Sequence, residues 1–171
     1  MRGALGDKRA TPLRVALDHN FPIPIVRALG EGIAEATLAP IAEIDARMGD
    51  LDDHEVVRAV AHRGYDMLVS CDRDYFEEAA VLTAVLQCRL SVVVVQGQGH
   101  DPVAASGLLL AYVKHLAAQF DKEHAQIFKL RVGRPRASDP WDAMKTLAER
   151  EKISADALYK KHRVADGDRS L

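Results

Sequence analysis

The 171-residue sequence predicts an α/β fold: a three-layer α/β/α sandwich around a mainly parallel sheet. Three observations carry that expectation. Short apolar runs alternate with helix-periodic segments from residue 13 to residue 132, which calls for parallel strands joined by crossover helices. The run Leu90-Ser-Val-Val-Val-Val95 is apolar almost throughout, as in a strand buried on both faces. Two runs end in acid: Asp18 follows Leu13-Arg-Val-Ala-Leu17, and Asp72 and Asp74 follow Met67-Leu-Val-Ser-Cys71. Ligands of open parallel sheets sit beyond the carboxyl ends of the strands, so these acids are candidates for a site.

In chain order, residues 1–12 mix Gly, Lys, Arg and Pro without periodicity and read as a flexible arm. After the first strand, Pro22 and Pro24 suit a turn and a first helical position, and Ile23, Ile25, Val26 and Leu29 supply a helical stripe before Gly30 and Gly32. Residues 34–40 form a second strand. Residues 42–55 are the most acidic window, in which Asp52 or Asp53 caps a helix with Val56, Val57, Val60 and Ala61 on its buried side, ending near Gly64. The central apolar run ends at small polar Ser70 and Cys71, and the spacing of Ala80, Leu82, Val85 and Leu86 predicts a helix over 77–87. Gln96-Gly-Gln-Gly99 lacks the lysine and the glycine spacing of a P-loop and reads as a turn. Asp101-Pro102 caps a helix to about Phe120, and Ile127-Phe-Lys-Leu-Arg-Val132, with its alternating cations, reads as an edge strand. Two further helices open at Asp139-Pro-Trp141 and at Ser154. The expected organisation is an arm over 1–12, a domain over 13–132, and a basic helical carboxyl-terminal extension over 133–171, either docked on the body or ordered by a partner.

Apolar residues make up 48% and charged residues 28%, the composition of an ordinary globular chain. No apolar run approaches the roughly eighteen residues that span a bilayer, and residues 1–12 lack the apolar block of a secretory signal, so a cytoplasmic protein with no membrane partner is expected. Cys71 and Cys88 are too few for a disulfide framework and lack zinc-site spacing; both are expected reduced and packed. Residues 1–128 hold 12 Lys and Arg against 18 Asp and Glu, whereas residues 129–171 hold 11 against 7, so an acidic body precedes a basic end.

If adjacent parallel strands bring Asp18, Asp72 and Asp74 together, the carboxylates repel and raise one another's pKa unless a cation sits among them. An oxygen-only donor set favours Mg2+ or Mn2+, which bind phosphate oxygens and acidify a bound water. Phosphoester hydrolysis is the chemistry that follows. The residues also resemble a family. Asp18-His-Asn-Phe-Pro is similar to the Asp-x-Asn-x-Pro opening of PIN-like nucleases, Leu51-Asp-Asp-His-Glu-Val-Val to their Asp-Glu-Glu-Ile-Leu helix start, and Val69-Ser-Cys-Asp-Arg-Asp-Tyr-Phe to their Val-Thr-x-Asp-x-Asp-Phe. The resemblance covers roughly residues 13–132, and the helical tail resembles the VapC-type toxins with a carboxyl-terminal extension.

That resemblance implies a Mg2+- or Mn2+-dependent ribonuclease, the toxin of a toxin–antitoxin pair, with RNA as substrate, a cognate antitoxin protein as partner and a possible homodimer. It implies catalytic roles for Asp18, Asp53, Asp72 and Asp74, with Asp18 and Asp72 as main metal ligands and Asp74 binding metal or orienting water. Ser70 would hold a carboxylate or water, and Asn20 would brace the loop. The third position stays open between Asp52, Asp53 and Glu55, and Tyr75 stands where the family has Phe. Arg73, Lys129, Arg131, Arg134 and Arg136 are candidates for contacting the RNA backbone. His19, between site residues, is a candidate for mutational test. The competing readings are a haloacid-dehalogenase-like phosphatase, a receiver-like signalling module, and a catalytically inactive PIN-like binding module. The first places its Asp-x-Asp after the first strand, and the second needs an acidic pair there, where this chain has Asp18-His19.

Overall fold

The computed structural model describes residues 11–19, 21, 24, 27–28, 33–98, 101–133 and 135–165. The expected arm over 1–12 and the helix over Ile23–Leu29 fall largely outside the described residues, as do Asn20 and Arg134.

Six strands make one sheet: β1 (Leu13–Leu17), β2 (Ala36–Pro40), β3 (Met67–Ser70), β4 (Ser91–Val95), β5 (Ile127–Leu130) and β6 (Ala137–Ser138). Their order is β2-β1-β3-β4-β5-β6, parallel throughout except for β6, which pairs antiparallel with β5. The described helices are α1 (Ile41–Ile44), α2 (Asp53–His62), α3 (Ala79–Cys88), α4 (Pro102–Gln119), α5 (Pro140–Glu151) and α6 (Ala155–His162), with 3-10 turns at Ala46–Asp50 and Arg73–Phe76.

Alternate residues of each strand feed opposite cores, as the pleat requires. Ala16, Leu68, Val92, Val94 and Ile127 pack with Val56, Val57 and Val60 of α2 and with Val81, Leu82 and Val85 of α3. Val15, Leu17, Met67, Val69, Val93, Val95 and Phe128 pack on the other side with Ala105, Leu109, Val113 and Leu116 of α4. The sheet is therefore covered on both faces, which is why β4 carries no polar alternation: all five of its residues are buried. The α/β class with three layers holds.

One reading changes, and one left open is decided. The last parallel strand stops at Leu130, and it is not the edge: Phe128 pairs with Ala137 and Ile127 with Ser138, so β6 covers its outer side. The two carboxyl-terminal helices are docked, with Met144, Leu147 and Ala148 of α5 and Leu158 of α6 buried in the same core as α3. Trp141 packs edge-on to Tyr159, ring centroids 5.8 Å apart, to close that helical pair.

Candidate functional site

Chain order along the sheet runs from β1 out to β2 and then back past β1 to β3, so the direction of winding reverses between β1 and β3. The carboxyl ends of two such strands diverge into a crevice, the usual place for a ligand in an open parallel sheet. Asp18 is the first residue beyond β1, and its backbone N–H continues the ladder by donating to the Val69 carbonyl at 2.9 Å. Its carboxylate therefore faces the end of β3, 1% exposed, and among the described residues no other acid is buried.

A carboxylate taken out of water needs donors. Asp18 has three: the Ser70 hydroxyl donates to Oδ2 at 2.8 Å, and the His19 backbone N–H and ring Nδ1 both lie 2.7 Å from Oδ1. The same Ser70 oxygen accepts from the Asp72 backbone N–H at 3.0 Å, so one hydroxyl ties the end of β1 to the loop after β3. Asp72 in turn accepts from the Asp74 N–H at 2.9 Å and starts the 3-10 turn. That turn folds Tyr75 inward, 1% exposed, with its hydroxyl 3.5 Å from the Asp53 carbonyl at the head of α2.

The charges meet around that phenol. Burial pushes the Asp53 carboxyl up, and the charges of Asp18, Glu78 and Asp72 push it further, partly offset by His19. Tyr75 is raised well above its ordinary value by burial and then by Asp18, Asp53, Asp72 and Glu78, so it remains a neutral O–H donor. Burial, with Asp18, moves the Cys71 thiol to about 11, which leaves it protonated and a poor nucleophile. The capping alternatives separate here. The Glu55 carboxylate accepts from the Asp52 N–H at 3.0 Å, closing a capping box that occupies Asp52 and Glu55 and leaves Asp53 facing the cluster.

Of the expected site residues, Asp18, Ser70, Asp72 and Asp53 come together. Asp74 sits beside them in sequence but turns outward: its side chain is 70% exposed, 3.6 Å from the Arg73 guanidinium. Arg73 is 85% exposed at the same turn. Lys129, Arg131 and Arg136 lie at the far edge of the sheet, on β5 and the segments beside it. Glu78 and Tyr75 are the members that sequence reasoning missed. Glu78 is the residue before α3 yet makes no side-chain cap, so an acid at a helix start that follows an acidic strand end was the available signal. An open pocket of about 690 Å³, bordered by Arg89, His124 and Asp139, lies at the opposite, amino end of β4 and β5 and is unrelated to this cluster.

The donor chemistry fits a hard divalent ion, because the ligands are carboxylate oxygens whose mutual repulsion a cation relieves. Among the described residues no three His, Cys, Asp or Glu side chains are grouped closely enough to hold one ion. A Mg2+ site built on one or two carboxylates, with waters and substrate phosphate completing the octahedron, is compatible with that spacing. Asp18 and Asp72, joined through Ser70, are the pair that would hold it.

Comparison of the chain with known protein families, with curated proteins and with solved structures finds no match in any of the three.

Proposed function

We propose that this protein is a divalent-metal-dependent ribonuclease, the toxin of a toxin–antitoxin pair. The observation that supports it most is the Asp18–Ser70–Asp72 connection at the divergence of β1 and β3, with Asp53 and Glu78 adding charge at the same place. A bound Mg2+ or Mn2+ supplies phosphate neutralisation and a more acidic water. The chain's own groups do the rest. Asp18 and Asp72 would hold the ion, with the Ser70 hydroxyl bonded to the Asp18 carboxylate and to the Asp72 backbone N–H. Asp53, whose raised pKa suits proton uptake, would accept the proton of the water as its oxygen bonds phosphorus and the bond to the leaving ribose oxygen breaks, that oxygen taking a proton from solvent. Tyr75 stays protonated and offers its O–H within the cluster. The toxin assignment rests on the PIN-like resemblance of residues 13–132, as does the expected antitoxin.

One observation favours a second reading, an inactive PIN-like binding module: the carboxylates are not gathered three to an ion among the described residues. Incubation with labelled RNA and Mg2+ or Mn2+ separates the two. Cleavage that EDTA and Asp72→Asn each reduce at least a hundredfold, with the variant's melting temperature unchanged or slightly higher without metal, supports the nuclease. Intact RNA with either ion supports the binding module. A phosphoaspartate formed from acetyl phosphate without RNA cleavage supports the receiver or phosphatase.

A further inference from the structure

Strand register places a basic cluster on the same row of the sheet as the acidic site. Leu17 is level with Val69, so Asp18 is level with Ser70; Ser70 is level with Val94, and Val94 with Lys129. Level residues of neighbouring parallel strands share a face. Ala16, Leu68, Val92 and Ile127, each two residues earlier, all feed one core, so Asp18, Ser70, Val94 and Lys129 lie along one line on that face. With strands about 4.8 Å apart, Lys129 stands roughly 10 Å from Ser70 along the row.

The sheet continues into β6. Ile127 is opposite Ser138 and Phe128 opposite Ala137, where the ladder ends; Lys129 and Arg136 are the next residues on the two sides. Arg131 follows two residues beyond Lys129, and all three are exposed. Several arginines elsewhere are held by partners: Arg14 donates to carbonyls, Arg47 and Arg63 hold Asp45, and Arg150 approaches Glu77. Among the described residues, Lys129, Arg131 and Arg136 have no ion pair and no side-chain hydrogen bond. Three exposed cations thus stand at the end of β5 and just before β6 with no counter-charge among the described residues, and a polyanion would supply one.

We infer that Lys129, Arg131 and Arg136 form a backbone-phosphate subsite, across which a single-stranded nucleic acid runs from the Asp18–Asp72 cleft to the β5–β6 edge. The inference rests on the nuclease reading for its substrate and adds to it a direction and a minimum length: because Ser70 and Val94 are fully buried, the nucleic acid passes over the carboxyl ends of β3 and β4 to reach β5, which requires several nucleotides.

Binding without cleavage tests it. A labelled, unstructured RNA of about a dozen nucleotides is titrated by fluorescence anisotropy in EDTA over a range of salt. Each lost phosphate contact lowers the salt slope by about 0.7 for single strands. The Lys129→Gln/Arg136→Gln pair is expected to lower the slope by about 1.4 and affinity on the order of tenfold, and Arg131→Gln to lower the slope by about half as much. The control pair Arg89→Gln/Lys122→Gln removes the same charge from the amino end of β4 and β5 and is expected to change neither. Both side chains are exposed and without an ion pair among the described residues, so an equal or higher melting temperature is also expected for Lys129→Gln/Arg136→Gln. Equal losses in both pairs, an unchanged slope, or binding of polyglutamate in place of RNA overturns the subsite. A selective loss in a protein that cleaves no RNA leaves the subsite standing and removes the nuclease; cleavage without selective loss does the reverse.

Discussion

Ser70 shows how much one side chain can settle. It is fully buried, donates to Asp18 and accepts from the Asp72 backbone, so the two strand ends are held at a fixed spacing before any ligand arrives. Asp53 pays for its position differently, since burial and three neighbouring acids raise its pKa. Between the ordinary value near 3.8 and that raised value the folded chain binds more protons than the unfolded chain, so stability falls as pH rises through the window. Asp53→Asn is therefore expected to raise the melting temperature at pH 7 by about 1–2 °C and to lose that advantage below about pH 4, read from thermal melts at both pH values without metal. Asp18 and Asp72 were legible from sequence because each stands at the polar end of an apolar run. Asp53 was left open against Asp52 and Glu55, because all three suit a helix start and only the capping box separates them. Tyr75 and Glu78 were not legible, because their place depends on a turn that brings chain neighbours back over the sheet.

At the scale of elements, the strands and long helices announced themselves through period and caps: Asp101 accepts from the Ala104 N–H, Asp139 from Trp141 and Ser154 from Ala157, each where the sequence carries a capping residue. The short elements did not. The turn Ala46–Asp50 lies in the acidic window and is held by Asp45, whose carboxylate takes Arg47 from the turn and Arg63 from the end of α2. Such a tie spans 18 residues and leaves no local pattern. β6 escaped for another reason: its two residues are both exposed, so no apolar signal marks it. Arg47 first and Arg63 with it hold the Asp45 carboxyl well below the usual range, which stabilises the fold above about pH 4 and is lost as pH falls through the lowered value. Arg63→Ala is expected to lower the melting temperature at pH 7 by about 1–2 °C, and by less at pH 2. An equal loss at both pH values would mean that Arg63 acts through its bond to the Ala59 carbonyl instead.

For the whole molecule, the carboxyl-terminal segment is structural as well as a candidate for partner contact. It supplies the outer strand of the sheet, and through α5 and α6 it covers α3. Leu158 is fully buried on α6, so Leu158→Ala is expected to cost about 2–4 kcal/mol in denaturant unfolding. A cost under about 0.5 kcal/mol would show the tail to be detachable in solution. No helix of the described residues is long and apolar enough to cross a membrane. Both faces of the sheet are covered, Asp18, Asp53 and Asp72 gather at the carboxyl ends of β1 and β3, and Lys129 and Arg131 are exposed at the end of β5. Calorimetric titration of the metal-free protein with Mn2+ tests that arrangement most directly. One saturable site in the wild type, weakened at least tenfold by Asp18→Asn and by Asp72→Asn but not by Asp74→Asn, is the expected result; no binding, or binding that none of the three alters, would contradict it.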